Sequence, residues 1–185
     1  RRCQLYKSLY PTADIICGDI RDDKIKSKLK QYSSDIVIAS PPCQGISIAG
    51  LYRNNELRLK DERNFLIFHA IEVIKSINPK FILFENVSAF GSMLLPYKEE
   101  LLSVLDILNL EFGKDYIIDS KIIDCADYGI PQYRKRNIIK IYKKNYTWKW
   151  PSKEKHISVK DAISHLPSIE SGEQSKLKWH FGRKH

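Results

Sequence analysis

The chain has 185 residues, enough for one domain of ordinary size, and 43% of them are hydrophobic, which excludes a disordered chain. No apolar run approaches the roughly 18 residues that a membrane-spanning helix needs, and the opening Arg-Arg-Cys-Gln-Leu carries no apolar secretory core and no initiator Met, so a fragment or processed piece is expected. The net charge of +9 is uneven: Pro131–His185 holds 14 Lys/Arg against 4 Asp/Glu, whereas the first 130 residues hold 17 against 18.

In chain order, the first apolar run, Asp14-Ile-Ile-Cys17, reads as a short buried strand and leads into the turn Gly18-Asp19-Ile20. Asp35-Ile-Val-Ile-Ala39 reads as a second strand. A helix is predicted over Glu62 to Ile77, where Ile67, Ile71 and Ile74 repeat near the 3.6-residue period; Asn78-Pro79 should stop it. Phe81-Ile-Leu-Phe84 is a third strand. Leu101, Leu105 and Leu108 suggest a second helix from Tyr97 to Leu108, followed by strands at Tyr116–Ile118 and Asn137–Tyr142. Beyond Pro151 the pattern weakens, with one or two helical turns at Ser158–Ile163. Short β-branched runs alternating with helices imply an α/β fold, with a mostly parallel sheet and helices on both faces. The expected division is a domain over residues 1–150 and a basic connector over 151–185.

In the connector and the strand before it, Lys140, Lys143, Lys144, Lys149, Lys153 and Lys155 are interleaved with Tyr142, Tyr146, Trp148 and Trp150. That pattern suits a phosphate backbone, and it equally suits a solvated lysine-rich surface. The four cysteines form no Cys-x-x-Cys pair and are too few for a disulfide scaffold, which argues against a metal site and for a reducing compartment. A cytoplasmic protein is expected, nucleoid-associated if prokaryotic, with no membrane partner.

Ligands of open α/β sheets collect beyond the C-terminal ends of the strands. The strand ending at Ala39 breaks into Ser40-Pro41-Pro42-Cys43-Gln44-Gly45. Two prolines fix an extended path and present the Cys43 thiol rigidly at the sheet edge. The strand ending at Phe84 continues into Glu85-Asn86-Val87, where four preceding apolar residues can desolvate the acid. Singly, each feature has a bland reading: Cys43 as a small buried hydrophobe, Glu85 as a cap, Gln132-Tyr-Arg-Lys-Arg136 as a solvated turn. The argument rests on having all three in this order.

Together these motifs resemble the cytosine-C5 DNA methyltransferase family. Ser40 to Ser47 looks like its Pro-Cys-Gln nucleophile loop, and Asp61-Glu-Arg63 with Leu66 like the start of its next helix. Glu85-Asn-Val87 looks like its Glu-Asn-Val motif, Asp127 to Arg136 like its Gln-x-Arg-x-Arg segment, and Gly18-Asp19-Ile20 like its adenine-contacting turn. The resemblance implies a Rossmann-like S-adenosylmethionine-dependent catalytic domain, partial in this chain. It implies methyl transfer to C5 of a flipped-out cytosine in double-stranded DNA, in a restriction-modification setting. Cys43 would add to C6 and make C5 enamine-like, with Glu85, Arg134 and Arg136 stabilising the ring, the active-site loop and nearby phosphate. Asp19, Ile20, Pro42 and Leu66 would hold S-adenosyl-L-methionine. Pro41, through its free carbonyl, and Gln44, Ser47, Asn86 and Gln132 would contact the substrate.

The family's Gly-rich cofactor loop and following acidic residue have no match ahead of Asp19, and its target-recognition region has none before His185. The chain alone is therefore expected to be inactive or weak, with another polypeptide as a candidate complement. Two further readings stay open: a tRNA cytosine methyltransferase of the same fold, and a catalytically inactive nucleic-acid-binding subunit. The Ser-Pro-Pro-Cys spelling also occurs in the tRNA branch, but that branch's Cys-Phe-Thr insert is missing, which favours DNA. A cysteine hydrolase lacks any supporting motif around the five histidines.

Overall fold

The computed structural model describes residues 2–42, 61–173 and 176. The chain divides into two compact units, Arg1–Ile123 with Lys135–Trp150, and Asp124–Arg134 with Pro151–His185.

In the first unit, helices α1 (Arg2–Leu9) and α2 (Asp23–Leu29) precede strand β1 (Ile36–Ala39). A 3₁₀ turn (Glu62–Phe65) leads into α3 (Leu66–Ile77), followed by β2 (Phe81–Val87), β3 (Leu94–Tyr97) and β4 (Glu100–Ser103). Helix α4 (Val104–Phe112), β5 (Tyr116–Asp124) and β6 (Lys135–Lys143) complete the elements that build its sheet. The four-stranded sheet has the order β1-β2-β6-β5, and β3 with β4 forms a separate hairpin. β1 pairs parallel to β2, and β6 runs antiparallel to β2, so the α/β class stands with a mixed sheet.

The alternation of β2 explains its place. Ile82, Phe84 and Asn86 are buried on one face beside Ile141, Ile139 and Asn137 of β6. α3 contributes Ile67, Ile71 and Ile74 to the same core, and α4 adds Val104, Ile107 and Leu108. Burying each such side chain contributes about 1.5–3 kcal/mol. α3 ends where Asn78 takes a left-handed conformation, φ 51°, as the Asn-Pro pair predicts. Outside the sheet, Lys26 of α2 and Lys30, which follows it, bind Glu72 of α3 at 3.0 and 2.6 Å.

The opposite face carries an aromatic cover. Trp148 and Tyr146 pack edge-on against Phe81, with centroids 5.4 and 5.2 Å away. Lys140, 2% exposed, lies 4.0 Å from the Trp150 ring centroid, donates to the Trp148 carbonyl at 2.6 Å and pairs with Asp119 at 3.1 Å. Trp150 Nε1 donates to the same Asp119 carboxylate at 2.6 Å. The interleaving of Lys140 with Tyr142, Tyr146, Trp148 and Trp150 thus covers part of a sheet face, with Lys140 withdrawn from any phosphate.

Two expected elements differ. Asp14–Cys17 forms no strand, because it joins neither sheet and an unpaired run has no ladder to hold it. The expected helix from Tyr97 begins only at Val104, since residues 94–103 form the β3-β4 hairpin. Lys98 and Glu99 turn that hairpin with φ of 49° and 69°. Ser103 then caps α4, its Oγ accepting from the Asp106 N–H at 3.1 Å.

Glu111 of α4 ties the hairpin to both helices. It accepts from Lys75 Nζ at 2.7 Å, from the Tyr97 hydroxyl and from Lys98 Nζ at 3.2 Å. The hydrogen bonds from Lys75 and Tyr97, and a weaker one from Lys98, outweigh burial and hold its carboxyl at about 2. The folded value lies below the ordinary glutamate value of about 4.3, so this stabilisation is complete above that pH and is lost as pH falls through about 2. Glu111→Gln should cost roughly 2 kcal/mol at neutral pH. Urea melts from pH 7 to 2 should show the gap to wild type closing below about pH 4.3; a gap independent of pH would refute the assignment.

In the second unit, Asp124 caps a 3₁₀ turn over Cys125–Tyr128, and Gly129 ends it at φ 73°. The positive φ is what disfavours larger residues at Gly129; a Cβ there would stand 2.6 Å from Glu154 Oε2, the far end of a side chain that can give way. Asp127 binds Lys153 at 2.7 Å and His156 at 2.8 Å. The short helix α5 (Val159–Ile163) follows a Ser158–Asp161 capping box.

Candidate active site

Parallel pairing sets Ala39, the last residue of β1, opposite Phe84, while β2 runs on to Val87, so the chain leaves β1 beside Glu85 and Asn86. Ser40 follows β1 directly, and its Oγ lies 2.7 Å from Glu85 Oε2 and 3.0 Å from the Glu85 carbonyl oxygen. The antiparallel partner supplies the other contact. Val87 faces Arg136 and Glu85 faces Ile138, which sets Glu85 and Arg136 on one face as diagonal neighbours. Arg136 Nε meets Glu85 Oε1 at 2.9 Å. Both carboxyl oxygens are therefore held, one by a guanidinium and one by a hydroxyl. The Glu85 side chain is 36% exposed, because it points to the half-open face of β2.

Asn86 points to the buried face and is 4% exposed. Its Nδ2 donates to the Pro41 carbonyl at 2.8 Å, and its Oδ1 accepts from the Val87 N–H at 2.9 Å. The Pro41 carbonyl is thus not free as expected, although its second lone pair remains for another donor. The signal was legible in part: an Asn flanked by Glu and Val on a two-sided strand must point inward, where it needs partners.

A cavity of about 340 Å³ opens beside the end of β1. Ile20, Pro42 and Leu66, three of the four expected cofactor residues, line it together with Ala39, Ala70 and Val73. Apart from Ser40, its lining side chains are apolar. Asp19 precedes Ile20. Hydrogen bonds from the Arg21 side chain and backbone N–H hold the Asp19 carboxyl at about 2, and Arg21 also pairs with Glu62 at 2.8 Å. Cys43, Gln44 and Ser47 lie outside the described residues. Gln132 and Arg134 are exposed in the second unit, where the Arg134 N–H donates to Asp124 at 2.9 Å. Sequence reasoning missed Ser40, although its place between strand and Pro-Pro was the available signal.

The family model for C-5 cytosine-specific DNA methylases matches residues 1–185. The chain is 45% identical over its full length to the Type II methyltransferase M1.HgaI of Avibacterium volantium, covering 53% of that protein. It is 30% identical over 99% of its length to the Type II methyltransferase M1.HphI of Haemophilus parahaemolyticus, covering 49% of it. The chain spans about half the length of the curated relatives it matches. Among solved structures, a prophage-encoded DNA modification methyltransferase of E. coli superposes with a TM-score of 0.66 at 26% identity, over 92% of this chain and 47% of that one. A family model that matches all 185 residues and a relative 45% identical over the whole chain show that this chain belongs to the C-5 cytosine-specific DNA methylase family.

Proposed function

We propose that the protein carrying this chain methylates C5 of cytosine in double-stranded DNA, and that this chain supplies the nucleophile and the groups that handle the base. The observation that carries the proposal is the Glu85 carboxyl, held between Ser40 and Arg136 directly beside the Asn86–Pro41 bond that anchors Pro41 ahead of Cys43 in the sequence. The Cys43 thiolate adds to C6 of a flipped-out base, which raises electron density at C5. Glu85 hydrogen-bonds the pyrimidine edge and passes a proton to N3 as negative charge develops there. Arg136 fixes Glu85 Oε1, and Pro41 offers its remaining lone pair to the exocyclic amine, which favours cytosine over thymine. Arg134, Gln132, Gln44 and Ser47 are assigned to phosphate and loop contacts on the family resemblance. With a methyl group on C5, loss of the C5 proton to water, return of the N3 proton to Glu85 and breaking of the C6–S bond restore the aromatic base, the acid and the Cys43 thiolate.

The residues present fit S-adenosyl-L-methionine in part. The apolar cavity lined by Ile20, Pro42 and Leu66 suits the flat face of an adenine, and the ionised Asp19 suits a donor at its edge. Bound there, the cofactor supplies a methyl group activated by its positive sulfur. We assign turnover to the whole protein that carries this chain, which spans about half the length of its curated relatives.

The test uses protein expressed from its complete reading frame, S-adenosylmethionine labelled on the methyl group, and two acceptors, duplex DNA and tRNA. Label is expected in 5-methylcytosine of DNA. Label confined to tRNA would replace the substrate assignment, and label in neither would leave a binding subunit.

A further inference from the structure

We infer that Ser40 is a positioning residue that holds the Glu85 carboxyl in place whether or not it carries a proton. The inference rests on the proposed role of Glu85 and extends it to a residue outside the base-contacting set. The two partners of the carboxyl differ in what they accept. Arg136 presents only N–H groups to Oε1, so a proton cannot sit between them. Ser40 Oγ can donate or accept, and it lies within hydrogen-bond distance of two oxygens of the same residue, Oε2 at 2.7 Å and the backbone carbonyl at 3.0 Å.

Those two distances define two states with no change in heavy-atom position. With Glu85 ionised, the Ser40 hydroxyl donates to Oε2. With Glu85 protonated, the proton resides on Oε2 and is donated to Ser40 Oγ, while the Ser40 hydroxyl proton turns to the Glu85 carbonyl. When Oε2 surrenders its proton to N3 of a base, one O–H bond breaks, one N–H bond forms, and the Ser40 proton turns back to the new carboxylate. The carboxyl has both partners before and after the transfer, its O–H turning from Ser40 to N3 only for the transfer itself, and it does not swing toward Arg136. An alanine offers neither role. A threonine offers both.

The experiment compares wild type, Ser40→Ala and Ser40→Thr, each expressed from its complete reading frame, by steady-state kinetics on duplex DNA, thermal melting and crystallography. Ser40→Ala should lower kcat about 10- to 100-fold, the range of one hydrogen bond to a charged group, with KM for DNA and melting temperature near wild type. Ser40→Thr should restore most of kcat. In crystals, the Glu85 carboxyl should move by about 1 Å or more in Ser40→Ala, a displacement sufficient to cost rate, and stay in place in Ser40→Thr. Wild-type kcat in Ser40→Ala would overturn the inference, as would an unmoved carboxyl. Equal losses in both variants with lowered melting temperatures would also overturn it, by showing a purely structural role. If wild type transfers no methyl group, the functional proposal fails, and the crystallographic comparison still decides whether Ser40 positions Glu85.

Discussion

Replacing Cys43 with serine is expected to abolish methyl transfer and leave the fold intact. Addition to C6 requires a nucleophile that is substantially ionised near neutral pH. A thiol with a reference value of about 8.5 meets that requirement after modest activation, and a serine hydroxyl does not. The substitution exchanges one small polar side chain for another after two prolines, and the segment before it is anchored independently by the Asn86–Pro41 bond and the Ser40–Glu85 contact. Folding should therefore be unaffected. Methyl incorporation, measured beside a circular dichroism melt, separates the two effects. Retained turnover in a folded Cys43→Ser protein would remove the covalent mechanism.

Glu85→Gln should reduce the methylation rate by roughly two to four orders of magnitude, the range associated with a lost general acid–base group. The amide preserves size and still hydrogen-bonds, but it cannot exchange a proton with N3. It also presents one oxygen where the carboxylate presents two, so either Arg136 or Ser40 loses its acceptor. DNA affinity should change little, because phosphate attraction arises from the lysine and arginine excess elsewhere. Single-turnover rates at saturating DNA, with a binding isotherm, test both statements. A rate within a factor of about two of wild type would make Glu85 structural.

Much of this arrangement was legible in the sequence, for physical reasons that can be named. β1, β2, β6 and α3 are built from runs whose periodicity and stop signals leave few options: isoleucines on one stripe of α3, an Asn-Pro terminator, β-branched runs for the strands. The hairpin at residues 94–103 was not legible. Leu101, Leu105 and Leu108 match helical spacing, and the tight turn is made by Lys98 and Glu99, which lack the Asn-Gly signature of such turns. Its support comes from Glu111, which the local pattern does not reveal. The Trp148–Trp150 segment was misleading in another way. A lysine among aromatics looks the same in sequence whether it faces solvent or, as Lys140 does, a closed aromatic face. At the candidate site, the order of motifs pointed to Glu85 and Arg136, which lie 2.9 Å apart, whereas Ser40 emerged only when parallel pairing set the end of β1 beside Phe84 and Glu85.

The antiparallel pairing of β2 with β6 has a consequence for how this site tolerates change. Glu85 and Arg136 meet because Val87 stands opposite Arg136 and both strands alternate in step. Removing or adding one residue within Val87–Phe81 or its partner stretch would bring Asn137 or Lys135 to the place of Arg136 and turn the guanidinium toward the other side of the sheet. The connection between β5 and β6, residues 125–134, lies outside the paired stretch and can change length without altering that frame. The site is therefore intolerant of altered length within the paired stretch. Its arithmetic is parity: an odd shift of β6 against β2 exchanges the charged face for the buried one, while an even shift keeps the faces and replaces the partner.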